Sequence, residues 1–113
     1  MITIYHNPRC RKSREGLAIL ENSNQEFEIV KYLDNHLDQE QLRSILAKLD
    51  IKPINLVRTN EAIWKSNYKD KALSDQQLIE IMIEHPKLIE RPIVVNSNKA
   101  VVGRPAESIL NIL

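Results

Sequence analysis

Cys10 is the only cysteine of this 113-residue chain, and Arg9, Arg11, Lys12, Arg14 and His6 all lie within four positions of it. A thiolate is a nucleophile where a thiol is not, and neighbouring cations or the free N–H groups of a helix start stabilise the thiolate. Cysteine pKa values near ~8.5 fall to roughly 3.5–7.5 in such settings. A lone cysteine is more commonly a small buried apolar residue. Four cations around this one argue for the reactive reading.

The elements that would position Cys10 can be read from residue pattern. A β-branched run ends at Tyr5, Asn7-Pro8 is a turn dipeptide, and a helical register through Leu17, Ala18 and Leu20 predicts a helix from about Arg11 to Asn22. The stretch Phe27–Tyr32 reads as a second strand, so the first three elements form a βαβ unit with a parallel strand pair. Asp38 with Gln41 has the form of a capping box, and Leu42, Ile45, Leu46 and Leu49 follow at helical spacing. Pro53 interrupts that pattern, and short helical turns are expected around Trp64 and Tyr68. Ser74 with Gln77 predicts another capped helix, which ends near Glu84 ahead of His85-Pro86. Arg91–Val95 and Lys99–Val102 read as a hairpin turning at Asn96-Ser97-Asn98, and Pro105 suits the first turn of a last helix. The order β-α-β, helical segments, hairpin and helix predicts one domain, residues 1–113, of α/β class. Its plan is thioredoxin-like: a mixed four-stranded sheet with helices on both faces and a helical insertion.

Bulk properties limit the partners. Sixteen Lys and Arg against fifteen Asp and Glu give a net charge of +1, so the overall charge gives no reason to expect nucleic acid or a membrane surface. Charged residues at 27% and apolar ones at 42% are ordinary for a folded globule. The absence of a membrane-length apolar run or a secretory leader pattern leads to an expected cytoplasmic location, and with nothing in the sequence suggesting a larger assembly a monomer is expected. One cysteine excludes an internal disulfide, and His6, His36 and His85 lack ligand spacing, so no metal is expected.

Several separated segments together resemble the glutathione- and glutaredoxin-dependent arsenate reductases of the thioredoxin-like class. They are Tyr5-His6-Asn7-Pro8-Arg9-Cys10 with Ser13-Arg14, Leu56-Val57-Arg58 with Asn60, His85-Pro86 with Ile89 and Arg91-Pro92-Ile93-Val94-Val95, and Arg104-Pro105 with Glu107. The resemblance implies that Cys10 attacks arsenate and that Arg58, Arg91 and Arg104 bind the oxyanion. It implies a supporting role for His6, whose protonated ring would favour the thiolate, and a cis peptide bond before Pro92. Ser13 at Cys+3 could donate its hydroxyl to the sulfur, and Arg14 adds nearby positive charge. Three guanidinium groups suit the chemistry, since the Arg fork donates paired hydrogen bonds to a tetrahedral oxyanion and stays charged. Arg11-Lys12 depart from forms of the motif with small or neutral residues after the cysteine.

An oxidised Cys10 has no resolving cysteine in its own chain, so an external thiol must supply electrons. The resemblance names glutathione as co-substrate, with no bound cofactor, and glutaredoxin as the partner that releases the mixed disulfide. Two other readings share the fold. A general glutaredoxin-type thiol oxidoreductase would not require the arginines to converge, and an Spx-like regulator of RNA polymerase would ordinarily carry a second cysteine where Ser13 stands. The phosphatase-like arsenate reductases need Arg six positions after the cysteine, where this chain has Gly16.

Overall fold

The computed structural model describes residues 1–113, and its packing resolves into two compact units, one of residues 1–35 with 91–113 and one of residues 36–90. The first unit holds the sheet. Strand β1 (Ile2–Tyr5) pairs in parallel with β2 (Phe27–Val30) and antiparallel with β3 (Ile93–Asn96), which pairs antiparallel with β4 (Lys99–Val102). The order is β2-β1-β3-β4, a four-stranded mixed sheet. β1 alternates buried Ile2 and Ile4 with half-buried Thr3 and Tyr5, the period of two that a pleated strand imposes. β3 lies between two partners and buries Ile93, Val94 and Val95 in succession.

Helix α1 (Arg11–Glu21) crosses from β1 to β2 and turns Ser13, Gly16 and Leu20 inward. Leu20 joins Ile2, Ile4, Val94 and Ile109 in the core of this unit. Ile109 comes from a closing 3₁₀ segment, Ala106–Ile112. The expected last helix is therefore wound more tightly than an α-helix, and Pro105 stands before it in extended conformation rather than inside its first turn. The hairpin turn narrows to Ser97-Asn98, because Asn96 and Lys99 already pair. Ser97 takes φ 57°, which relieves the strands of splaying.

The second unit is helical. Helix α2 (Gln39–Leu49) and the later helix Asp75–Glu84 both begin with complete capping boxes, Asp38 with Gln41 and Ser74 with Gln77. Reciprocal side-chain bonds there satisfy backbone donors that the helix itself leaves open. Between these helices lie a 3₁₀ turn opened by Pro53 and α3 (Ala62–Asn67); the later helix is α4. Trp64 is buried against Tyr68, with ring centroids 5.7 Å apart. A second 3₁₀ turn, Pro86–Leu88, carries the chain to an isolated antiparallel bridge between Val57 and Ile89. No helix of the molecule is long and apolar enough to cross a membrane.

Candidate active site

The loop between β1 and α1 is built on Asn7. Its carbonyl accepts from the Cys10 N–H at 3.0 Å, closing a four-residue turn, and its Oδ1 accepts from the Arg9 N–H at 3.0 Å. Its own N–H donates to Ser13 Oγ at 3.0 Å, and Ser13 Oγ lies 2.7 Å from His6 Nδ1. His6, Asn7 and Ser13 are the buried polar residues of the molecule, so the loop is pinned from beneath by a satisfied network. From the outer side, Arg14 Nη1 donates to the Pro8 carbonyl at 3.0 Å.

Cys10 is the N-cap of α1, half-buried and in extended conformation. Burial works to raise its pKa, yet the net displacement is downward. A hydrogen bond from Arg91, the backbone N–H groups of Ser13 and Lys12, and the Arg91 charge together outweigh the loss of solvation. Arg104 adds a second guanidinium, with Nη2 3.7 Å from Sγ. Its Nε donates to the Arg91 carbonyl at 2.8 Å, tying the segment before β3 to the segment after β4. Both arginines immediately precede prolines, and both of those peptide bonds are cis.

The structure thus brings Arg91 and Arg104 to Cys10. Arg58 belongs to the second unit, where Nη1 meets Glu90 Oε1 at 3.0 Å and Nε lies 3.6 Å from Glu61 Oε2. Its backbone is anchored as well, the N–H donating to the Leu88 carbonyl at 2.7 Å.

Three supporting residues act differently from the expectation drawn from sequence. Burial, then the charges of Lys31 and Arg14, push the His6 pKa down, so this ring is neutral near pH 7 and is no cationic neighbour for the sulfur. Ser13 Oγ accepts from the Asn7 N–H and meets His6 Nδ1, and it is the Ser13 backbone N–H that hydrogen-bonds the sulfur. Arg14 clamps the loop through Pro8. The amides of Lys12 and Ser13 are the free N–H groups that the position of Cys10 at a helix start leads one to expect; which amides reach the sulfur has no residue signature and comes only from the structure.

Pro92 completes the site from below. It is fully buried, and the two glycines of the chain flank it: a Cβ on Gly16 would stand 2.8 Å from Pro92 Cγ, and one on Gly103 would stand 2.9 Å from the same atom. Only residues without side chains let α1 and the end of β4 close on this ring.

Comparison with known proteins agrees with this geometry. The chain is 45% identical to an arsenate reductase of Haemophilus influenzae, over 99% of this chain and 98% of that protein. It is 39% identical to an arsenate reductase of Acidiphilium multivorum, over 99% of this chain and 80% of that one. The solved structure of an arsenate reductase from Vibrio cholerae superposes with a TM-score of 0.94 at 45% identity, covering 99% of this chain and 97% of that one. Residues 5–112 match the ArsC family, and with relatives this similar along their full length the chain belongs to it.

Proposed function

We propose that this protein is an arsenate reductase that uses Cys10 as nucleophile and glutathione as reductant. The observation that carries the reading is the convergence of Arg91 and Arg104 on a sulfur whose pKa is already lowered. An ordinary thiol-disulfide exchanger needs a thiolate alone. An oxyanion carrying negative charge at neutral pH repels a thiolate unless fixed cations stand at the same place. Arg58, paired now with Glu90 and Glu61, is the third oxyanion-binding arginine in this reading.

In the proposed reaction the Cys10 thiolate attacks arsenic and one arsenate oxygen leaves as water, its protons drawn from solvent. A glutathione thiolate then attacks the Cys10 sulfur. The S–S bond forms as the S–As bond breaks, and its electron pair stays on arsenic. Arsenic(V) becomes arsenic(III), which leaves protonated as arsenous acid, while the two sulfurs are oxidised to the mixed disulfide. A dithiol such as glutaredoxin restores Cys10 by exchange. The cycle requires no bound cofactor or metal and operates in the reducing cytoplasm on a monomer.

The test is arsenate-dependent NADPH consumption coupled through glutathione, glutathione reductase and glutaredoxin. Activity that vanishes in Cys10→Ser supports the reading. Turnover of a glutathione mixed disulfide with no response to arsenate would instead make the protein a general thiol oxidoreductase.

A further inference from the structure

We propose that a groove of about 350 Å³ beside the cysteine loop, between residues 6–9 and residues 31–34, is the binding subsite for the reducing thiol. The site deepens the arsenate-reductase reading by giving its co-substrate a place, although its own test needs no arsenate. The groove lies wholly within the first unit and is large enough for a small ligand.

Its charges are few and specific. Arg9 and Lys31 provide two cations, and Asp34 provides one anion. Glutathione carries the inverse set, two carboxylates and one ammonium, with the thiol between its ends. The ammonium and one carboxylate share an end, so Asp34 and one cation receive that end and the other cation receives the far carboxylate. Polar backbone is fixed here as well, since the Lys31 carbonyl accepts from the N–H groups of Asp34 and Asn35 at 3.0 and 2.9 Å. That turn holds Lys31 and Asp34 in set relation.

The groove comes near the cysteine at its Asn7 end. The Cys10 N–H to Asn7 carbonyl bond closes a turn in which the two Cα atoms stand less than about 7 Å apart, and Asn7 lines the groove. An extended tripeptide spans about 10 Å, so a thiol seated in the groove can meet Cys10 across the loop. Arg91 and Arg104 remain for the oxyanion. The two substrates thus take different cations around one sulfur.

The experiment follows Cys10 thiolate attack on added disulfides, in which a mixed disulfide forms and one thiolate leaves. Three probes are compared: oxidised glutathione, the neutral hydroxyethyl disulfide, and dithiodipropionate, which has carboxylates and no ammonium. In Arg9→Ala/Lys31→Ala the rate with oxidised glutathione should fall about tenfold relative to hydroxyethyl disulfide. Asp34→Asn should slow oxidised glutathione while leaving dithiodipropionate unchanged or faster. Equal rate changes for all three probes, or an Asp34→Asn variant that accelerates both anionic disulfides alike, would overturn the subsite and leave only general electrostatics. Failure of arsenate reduction with the rate pattern intact would overturn the substrate assignment and not the groove.

Discussion

The Pro92 ring occupies the space that a side chain on Gly16 would need, at 2.8 Å from the position of its Cβ, and it does the same for Gly103 at 2.9 Å. A proline ring cannot swing aside as the end of a long side chain can, so an added methyl must move backbone. Gly16→Ala gains some helix propensity in α1, but overpacking of this kind costs about 1–3 kcal/mol and outweighs it. Gly103→Ala has no helical gain to offset the clash. Urea denaturation should show both variants destabilised, Gly103→Ala the more so. A midpoint unchanged from the parent in both would mean that the ring has room to shift.

Arg91 supplies both a hydrogen bond and a charge to the Cys10 sulfur. Iodoacetamide alkylation followed against pH should therefore have its midpoint below that of an ordinary thiol, about 8.5. In Arg91→Ala it should move upward, and in Arg14→Ala it should stay in place, because that guanidinium is engaged with Pro8 and is absent from the groups that lower the sulfur's pKa. The linkage has a sign that can be checked. A thiol pKa depressed by folding adds stability above the unfolded pKa, and that stability is lost as pH falls through the folded one. The Arg91→Ala variant should accordingly lose more stability relative to the parent at pH 9 than at pH 6.

Much of this site was legible before any coordinates. The β-branched run at Ile2–Tyr5, the turn at Asn7-Pro8 and the two capping boxes are local signals, and local signals place elements well. Cys10 stands out through its neighbours in sequence, and Arg91 and Arg104 through the family motifs in which they sit, each directly before a proline. What could not be read is what long-range packing decides. The protonated His6 ring is what the family resemblance implies; burial, with the charges of Lys31 and Arg14, lowers its pKa instead. A helix places Ser13, at Cys+3, on the first turn beside the sulfur, but its Oγ meets His6 and Asn7 at the start of the loop. The roles of Gly16 and Gly103 depend on a proline far from the first of them in the chain, which no periodicity reports.

The buried His6–Ser13 pair gives the fold a pH dependence of its own. Folded His6 holds a proton less tightly than unfolded His6, for which the ordinary value is about 6.5. Its contribution to stability is thus complete above that value and is lost as pH falls through the folded pKa. Replacing the ring by His6→Asn, which keeps a hydrogen-bonding atom near Nδ1, should flatten the loss of stability on going from pH 7.5 to 5.5. Parallel stability curves for the two proteins would assign the acid sensitivity elsewhere. Ser13→Ala should cost about 1–3 kcal/mol at neutral pH, because it strands both the Asn7 N–H and His6 Nδ1 in a buried place.

Arg104 has two attachments that lysine cannot reproduce together, Nε to the Arg91 carbonyl and Nη2 to the Cys10 sulfur. A lysine at this position keeps the charge and loses the planar fork. If the arginine serves arsenate, Arg104→Lys should raise KM for arsenate about tenfold, the equivalent of about 1.4 kcal/mol for one weakened charge-assisted hydrogen bond. The Cys10 alkylation midpoint should move less than in Arg91→Ala. Arg58→Lys should raise KM for arsenate in the same way without moving that midpoint, since Arg58 is absent from the groups that lower the sulfur's pKa. Should both variants keep the parent KM while Arg91→Ala loses all activity, the oxyanion would be held by Arg91 alone, and the other two arginines would serve the fold.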